Sequence, residues 1–156
     1  VATSPLVRRR CGRRSHGPRC GGTSIALAFP ACTCAQPRHR QGPAYTGDAA
    51  IFNLAPPLRH IGIDVPETRA WLDTWDGPIT IEPRDFTVRV TGETAVAWGY
   101  MRMQGTKIDP PAKPNFWMRE TLVLERRGGA WRIVHEHTSV PFYMDASTRP
   151  AFDLQP

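Results

Sequence analysis

The chain predicts an α+β domain, a curved antiparallel sheet of cone-like shape packed on one or more helices. Three observations carry that expectation. Four strand-length runs follow one another in the C-terminal half, each joined to the next by a turn or short loop. One short helical signal precedes them. The texture of the chain also changes sharply near residue 45, which divides it into a segment 1–44, a domain 45–145 and a tail 146–156.

Residues 1–44 hold eight arginines, all four cysteines (Cys11, Cys20, Cys32, Cys34) and no acidic residue. Rich in Arg, Gly and Pro and without helical or strand period, this segment is expected to be a disordered extension, because little in it offsets the entropy of ordering. It does not read as the native start of the domain. Its cysteines lack the paired CxxC spacing of structural zinc sites. The net charge of +6 belongs wholly to this segment, since the remaining residues carry 12 basic and 14 acidic side chains. Nucleic acid is therefore not an expected partner of the domain. No run approaches the roughly 18 apolar residues of a membrane helix, and a cytoplasmic protein without a membrane anchor is expected.

Within the domain, "AAIFNLAPPL" reads as a short strand stopped by Pro56 and Pro57. "VPETRAWLDTW" reads as a helix. Pro66 suits its first turn and Glu67 its positive end, while Ala70, Leu72 and Trp75 form an apolar stripe with Trp71 at the edge. Trp71 and Trp75 are expected to seal it against the sheet. "DGP" at Asp76–Pro78 ends it. Four long runs follow: residues 79–90, 94–105, 115–127 and 130–142, the last pair joined by Gly128–Gly129. Consecutive strands with short connections pair antiparallel, and strands of this length must twist and curl. A curled sheet with a helix inside it encloses a pocket for a small hydrophobic ligand.

The stretch "FWMRETLVLERRGGAWRIVHEHTSVPF" resembles the SnoaL-like proteins of the nuclear transport factor 2-like superfamily, which includes ketosteroid isomerases, polyketide cyclases and the association domain of calcium/calmodulin-dependent protein kinase II. Arg119, Thr121, Trp131, His135, His137, Ser139 and Pro141 carry the likeness. The resemblance implies the cone fold, a ligand pocket, acid/base chemistry of isomerase, cyclase or dehydratase type without cofactor or metal, and a homodimer formed through the sheet; a non-catalytic association or ligand-binding module is the alternative. It also exposes departures. The family's N-terminal helices, which carry an oxyanion-hole tyrosine in the isomerases, are not recognisable. Where those isomerases place an aspartate base on the first strand, this chain has Asn53, which cannot take a proton.

Residues two apart on a strand share a face. Straight alternation therefore puts Trp131, Ile133, His135, His137 and Ser139 in one row, assigned to the concave side, and Arg132, Val134, Glu136, Thr138 and Val140 in the other. His135 and His137 are read three ways: as two ligands of a metal needing Glu120, Glu125 or His60 as a third, as proton-transfer groups near neutral pH, or as structural side chains lining a pocket. On the neighbouring run, Phe116, Met118, Glu120, Leu122 and Leu124 form a row that is apolar except at Glu120. Arg119 is a candidate anchor for a carboxylate or enolate. With Thr121, Tyr100, Trp117 and Asn53 it makes up the candidate substrate-binding set, and His135 and His137 are the candidate catalytic residues.

Overall fold

The computed structural model describes residues 44–156. Expectations about residues 1–43, the disordered extension and the cysteines among them, lie outside the described residues. The elements run β1 (Tyr45–Phe52), β2 (His60–Ile61), α1 (Val65–Leu72), β3 (Thr80–Thr91), β4 (Thr94–Gln104), β5 (Lys107–Ile108), β6 (Pro111–Ala112), β7 (Asn115–Arg127) and β8 (Ala130–Ser139). The four long runs form the expected antiparallel meander β3–β4–β7–β8. β1 then lies alongside β8 in the parallel sense and β2 closes the other edge, so the sheet is mixed, with order β2-β1-β8-β7-β4-β3. Only a long excursion through α1 and the meander brings β1 to β8, and no local signal reports such a pairing.

Local chemistry accounts for the turns. Gly128 and Gly129 both take left-handed φ, 59° and 79°, the conformation a two-residue hairpin turn requires and that glycine adopts without strain. Two bulges bend the meander. On β3, Asp85 and Phe86 together face the single residue Gly99, with Asp85 at φ 53°. On β8, Val134 is inserted between His135, opposite Val123, and Ile133, opposite Leu124. Bulges of this kind increase twist and curl a sheet.

The inner face of the curl carries the core. Ala95, Ala97, Leu122 and Leu124 form one buried cluster, with Trp131 and Ile133 against it; Met101, Phe116 and Met118 form a second. Phe86 packs on both, because the β3 bulge folds its ring over Gly99. Each buried Leu contributes about 2 kcal/mol of transfer free energy. The C-terminal segment docks as well: the Ala151 amide donates to the Pro141 carbonyl at 2.8 Å, and the Phe152 ring lies 4.4 Å from that of Phe116.

The helix departs from expectation. Its N-terminus is well made: Asp64 caps it, accepting from the Glu67 amide at 2.8 Å. Yet it ends at Leu72 and buries none of its residues. Trp71 is 43% exposed, whereas Trp75, beyond the helix, is buried. Trp75 is placed by a β-bridge to Lys107, whose ammonium sits 5.5 Å above the indole, and not by helical periodicity. The pair therefore does not seal a helix onto the sheet; the turn after the helix is tied to the β5 loop, with the Asp76 amide donating to Thr106 and that of Ile108 to Thr74.

Candidate functional site

Residues paired across strands share a face, so the register assigns every candidate to one side. Trp98, Thr121, His137 and Phe52 form one transverse row. Tyr100, Arg119 and Ser139 form the next, and Val96, Val123, His135 and Ala50 the row on the other side. All of these lie on the outer face, away from the core. Trp117, level with Arg102, shares it. The structure thus brings together His135, His137, Thr121, Tyr100, Trp117 and Arg119. Asn53 stands apart beyond the end of β1, exposed, its side-chain oxygen accepting from the Ala55 amide at 3.0 Å in a local turn.

The bulge at Val134 corrects the row read by straight alternation. Trp131 and Ile133 face inward, and after the extra residue the phase reverses, so that His135, His137 and Ser139 face outward while Glu136 and Thr138 face inward. The histidines are therefore not on the core side with Trp131. His135 Nδ1 lies 2.8 Å from the Ala50 carbonyl oxygen, so that nitrogen is the protonated one, and its ring meets the Phe52 ring edge-on at 5.0 Å. His137 is exposed, 5.8 Å from the same ring. Glu120 lies on the opposite face from both, and no group of three metal-binding side chains forms among the described residues. Arg119, an oddity inside an apolar run, needs no buried partner because it is exposed.

The inner face holds what the histidine reading passed over. Glu120 sits between Gly99 and Thr138 in one row; Ala97, Leu122, Glu136 and Ile51 form the next. Glu120 is only 5% exposed, and among the described residues its carboxyl has neither a hydrogen bond nor a counter-ion. Tyr45 reaches across from β1 and donates its hydroxyl to Glu136 Oε2. Burial, and then the neighbouring Glu136, push Glu120 up to about 8. Burial also raises Glu136, but the Tyr45 hydroxyl and the charge of His135 pull it back. Burial foremost, with the nearby carboxylates, holds the Tyr45 hydroxyl protonated. The two carboxyls thus stand in unequal surroundings: near neutral pH Glu120 keeps its proton, while Glu136 has in Tyr45 and His135 two groups that favour its ionised form. One sign of this was legible beforehand, the single acid in the row Phe116–Leu124. Glu136 and Tyr45 gave none, the first because the bulge hides its face, the second because β1 reaches β8 only in the folded chain.

The inner face emerges to solvent over β3, where Val88 and Val90, level with Ala97 and Ala95, are exposed. Of the surface depressions, one of about 180 Å³ is lined by Tyr100, Trp117 and Arg119 with the C-terminal segment. Another, of about 350 Å³, lies between Pro78 and Pro114. Neither contains Glu120. No helix among the described residues is long and apolar enough to cross a membrane.

Comparison with known proteins agrees with this architecture. An NTF2-like protein of unknown function from Pseudomonas putida KT2440 superimposes with a TM-score of 0.62 at 28% identity, over 72% of this chain and 78% of that one. An NTF2-like superfamily protein from Salmonella enterica gives 0.54 at 20% identity, over 64% and 72%. A protein assigned as a calcium/calmodulin-dependent protein kinase II association domain, from Xanthomonas campestris, gives 0.51 at 22%, over 62% and 68%. The last two show likeness of fold alone. No curated protein matches the sequence. The SnoaL-like domain family matches residues 45–143, and with the mixed, curled sheet and the one helix among the described residues this makes the chain a SnoaL-like protein of the NTF2-like superfamily.

Proposed function

We propose that the domain binds a small apolar carbonyl-type compound on its inner face and moves a proton within it, the chemistry of an isomerase, cyclase or dehydratase that works without a cofactor. The observation that carries this reading is Glu120, a carboxyl only 5% exposed with neither a hydrogen bond nor a counter-ion among the described residues. A sheet gains no stability from such a group, whose desolvation goes uncompensated, whereas a site that must donate a hydrogen bond at neutral pH needs one. The ionised Glu136 removes a proton from the carbon next to the carbonyl. The Glu120 O–H donates to the carbonyl oxygen as charge develops on it, and the proton returns to the same molecule at a second carbon. Tyr45 orients Glu136. The substrate enters over β3, past Val88 and Val90.

Two sets of groups compete for the proton-transfer role, Glu120 with Glu136 inside and His135 with His137 outside. Against a panel of small unsaturated ketones, Glu120→Gln should lower turnover by about 100-fold or more, and His137→Ala should leave it within about twofold. The reverse pattern would hand the chemistry to the histidines. Loss in neither variant would remove both.

A second reading, association through the sheet, has its own support. Phe52, Trp98 and Tyr100 leave a substantial part of their rings in solvent on the outer face, apolar surface that a partner sheet would cover. Sedimentation velocity at micromolar concentration should show a dimer that Trp98→Lys dissociates; a monomeric wild type ends this reading.

A further inference from the structure

β8 ends at Ser139, level with Arg119, while β7 begins four residues earlier at Asn115. Residues 115–118 of β7 thus have β4 on one side and no β8 on the other. The C-terminal segment runs past this edge. On the inner side Phe152 stacks on Phe116. Leu154, Gln155 and Pro156 then pass the edge of the sheet and, with Pro141, wall the depression whose other sides are Tyr100, Trp117 and Arg119.

The charges around it are unequal in status. Arg84 pairs with Asp85 and Arg102 with Glu82, each at 3.6 Å. Arg102 is further held by Asn115 at 2.9 Å. Both guanidinium groups lie near the Trp117 ring, at 5.6 and 5.8 Å from its centre, and each is already matched by its acidic partner. Arg119 has no ion pair among the described residues. A guanidinium with no ion pair among the described residues, sharing a depression with two aromatic residues and a mostly apolar C-terminal wall, fits an anion with a flat apolar body. The fork takes a carboxylate through two parallel hydrogen bonds, and the rings take the body. At about 180 Å³ the space is below the roughly 300 Å³ at which pockets for drug-sized molecules begin, so a single ring is the scale of the occupant.

We propose that this depression is a binding site for a small aromatic carboxylate, with Arg119 holding the carboxylate and Tyr100 and Trp117 the ring. It is independent of the inner-face reading, because Glu120 points to the opposite side of the sheet, and it stands as an alternative to association through the outer face, which would cover Tyr100.

Isothermal titration of the full chain with benzoate, and with benzamide as its uncharged counterpart, tests the proposal. Benzoate should bind saturably, and benzamide about tenfold or more weaker. Arg119→Gln should lose about tenfold or more for benzoate, Arg119→Lys should recover part of it, and Glu120→Gln should bind benzoate like the wild type. Arg119 is exposed, so its replacement spares the core; were the variant nonetheless to misfold, the benzoate–benzamide comparison on the wild type would still decide. Absence of saturation by about 10 mM, equal binding of the two probes, an unaltered Arg119→Gln, or equal loss in Glu120→Gln would each overturn it.

Discussion

Glu120→Gln should abolish most of a downward slope of stability with rising pH. The sign follows from linkage. In the unfolded chain Glu120 titrates near its ordinary 4.5, and in the folded chain near 8. Below the lower value both states hold the proton and the group contributes nothing. Between the two values the folded state retains a proton that the unfolded state has released, so each step upward in pH favours unfolding. Above about 8 the folded group ionises too and the loss levels off. A shift of this size at a nearly buried group corresponds to a few kcal/mol across the window. Glu136, also raised, slopes the same way. Urea denaturation from pH 5 to pH 9 should therefore show wild-type stability falling, and the Gln variant, whose amide does not titrate, falling much less. Absolute stabilities at one pH are a poor readout, since the buried amide also lacks a partner among the described residues; the difference in slope isolates the proton. Parallel curves for the two proteins would mean that Glu120 ionises normally, and the general-acid role would fall with it.

The second large effect is steric. A methyl group at position 99 would stand 2.6 Å from Phe86 Cδ2 and 2.9 Å from Phe86 Cα. The first clash a ring can evade. The second is with backbone, which the β3 bulge holds in place. Gly99→Ala should thus cost about 1–3 kcal/mol through overpacking, read as a lower urea midpoint with unchanged slope. Trimming the ring in Gly99→Ala/Phe86→Leu should not restore wild-type stability, because the clash with the backbone of residue 86 persists. An unchanged midpoint in Gly99→Ala would mean that Phe86 does not cross the sheet at this point. The position also adjoins the proposed site, since Gly99 is the neighbour of Glu120 on β4.

Much of the architecture is written locally. Alternation in "TAVAWGYMRMQ" and "NFWMRETLVLERR" marks β4 and β7 to within a residue, and the glycine pair after Arg127 marks the hairpin to β8. These features depend on side-chain periodicity and on backbone freedom at single residues, both properties of short segments. The helix start was equally local, through Pro66 and Glu67, to which the structure adds the Asp64 cap. Its end was not: Trp75 continues the apolar stripe in sequence but is recruited by Lys107.

The chemistry of the faces was decided at longer range. One inserted residue, Val134, reverses the phase of β8, moving His135 and His137 outward and Glu136 inward. A bulge leaves no mark in composition, because any residue can be the extra one; only the pairing with β7 defines it. The parallel contact of β1 with β8 is of the same kind, and it alone carries Tyr45 to Glu136. By itself the sequence determined the family, the meander and the anomaly of an acid in an apolar row, since these follow from residue type and spacing. Which groups meet, and on which side of the sheet, was settled by tertiary structure alone, because register is a relation between distant segments and one residue of slip exchanges the two faces.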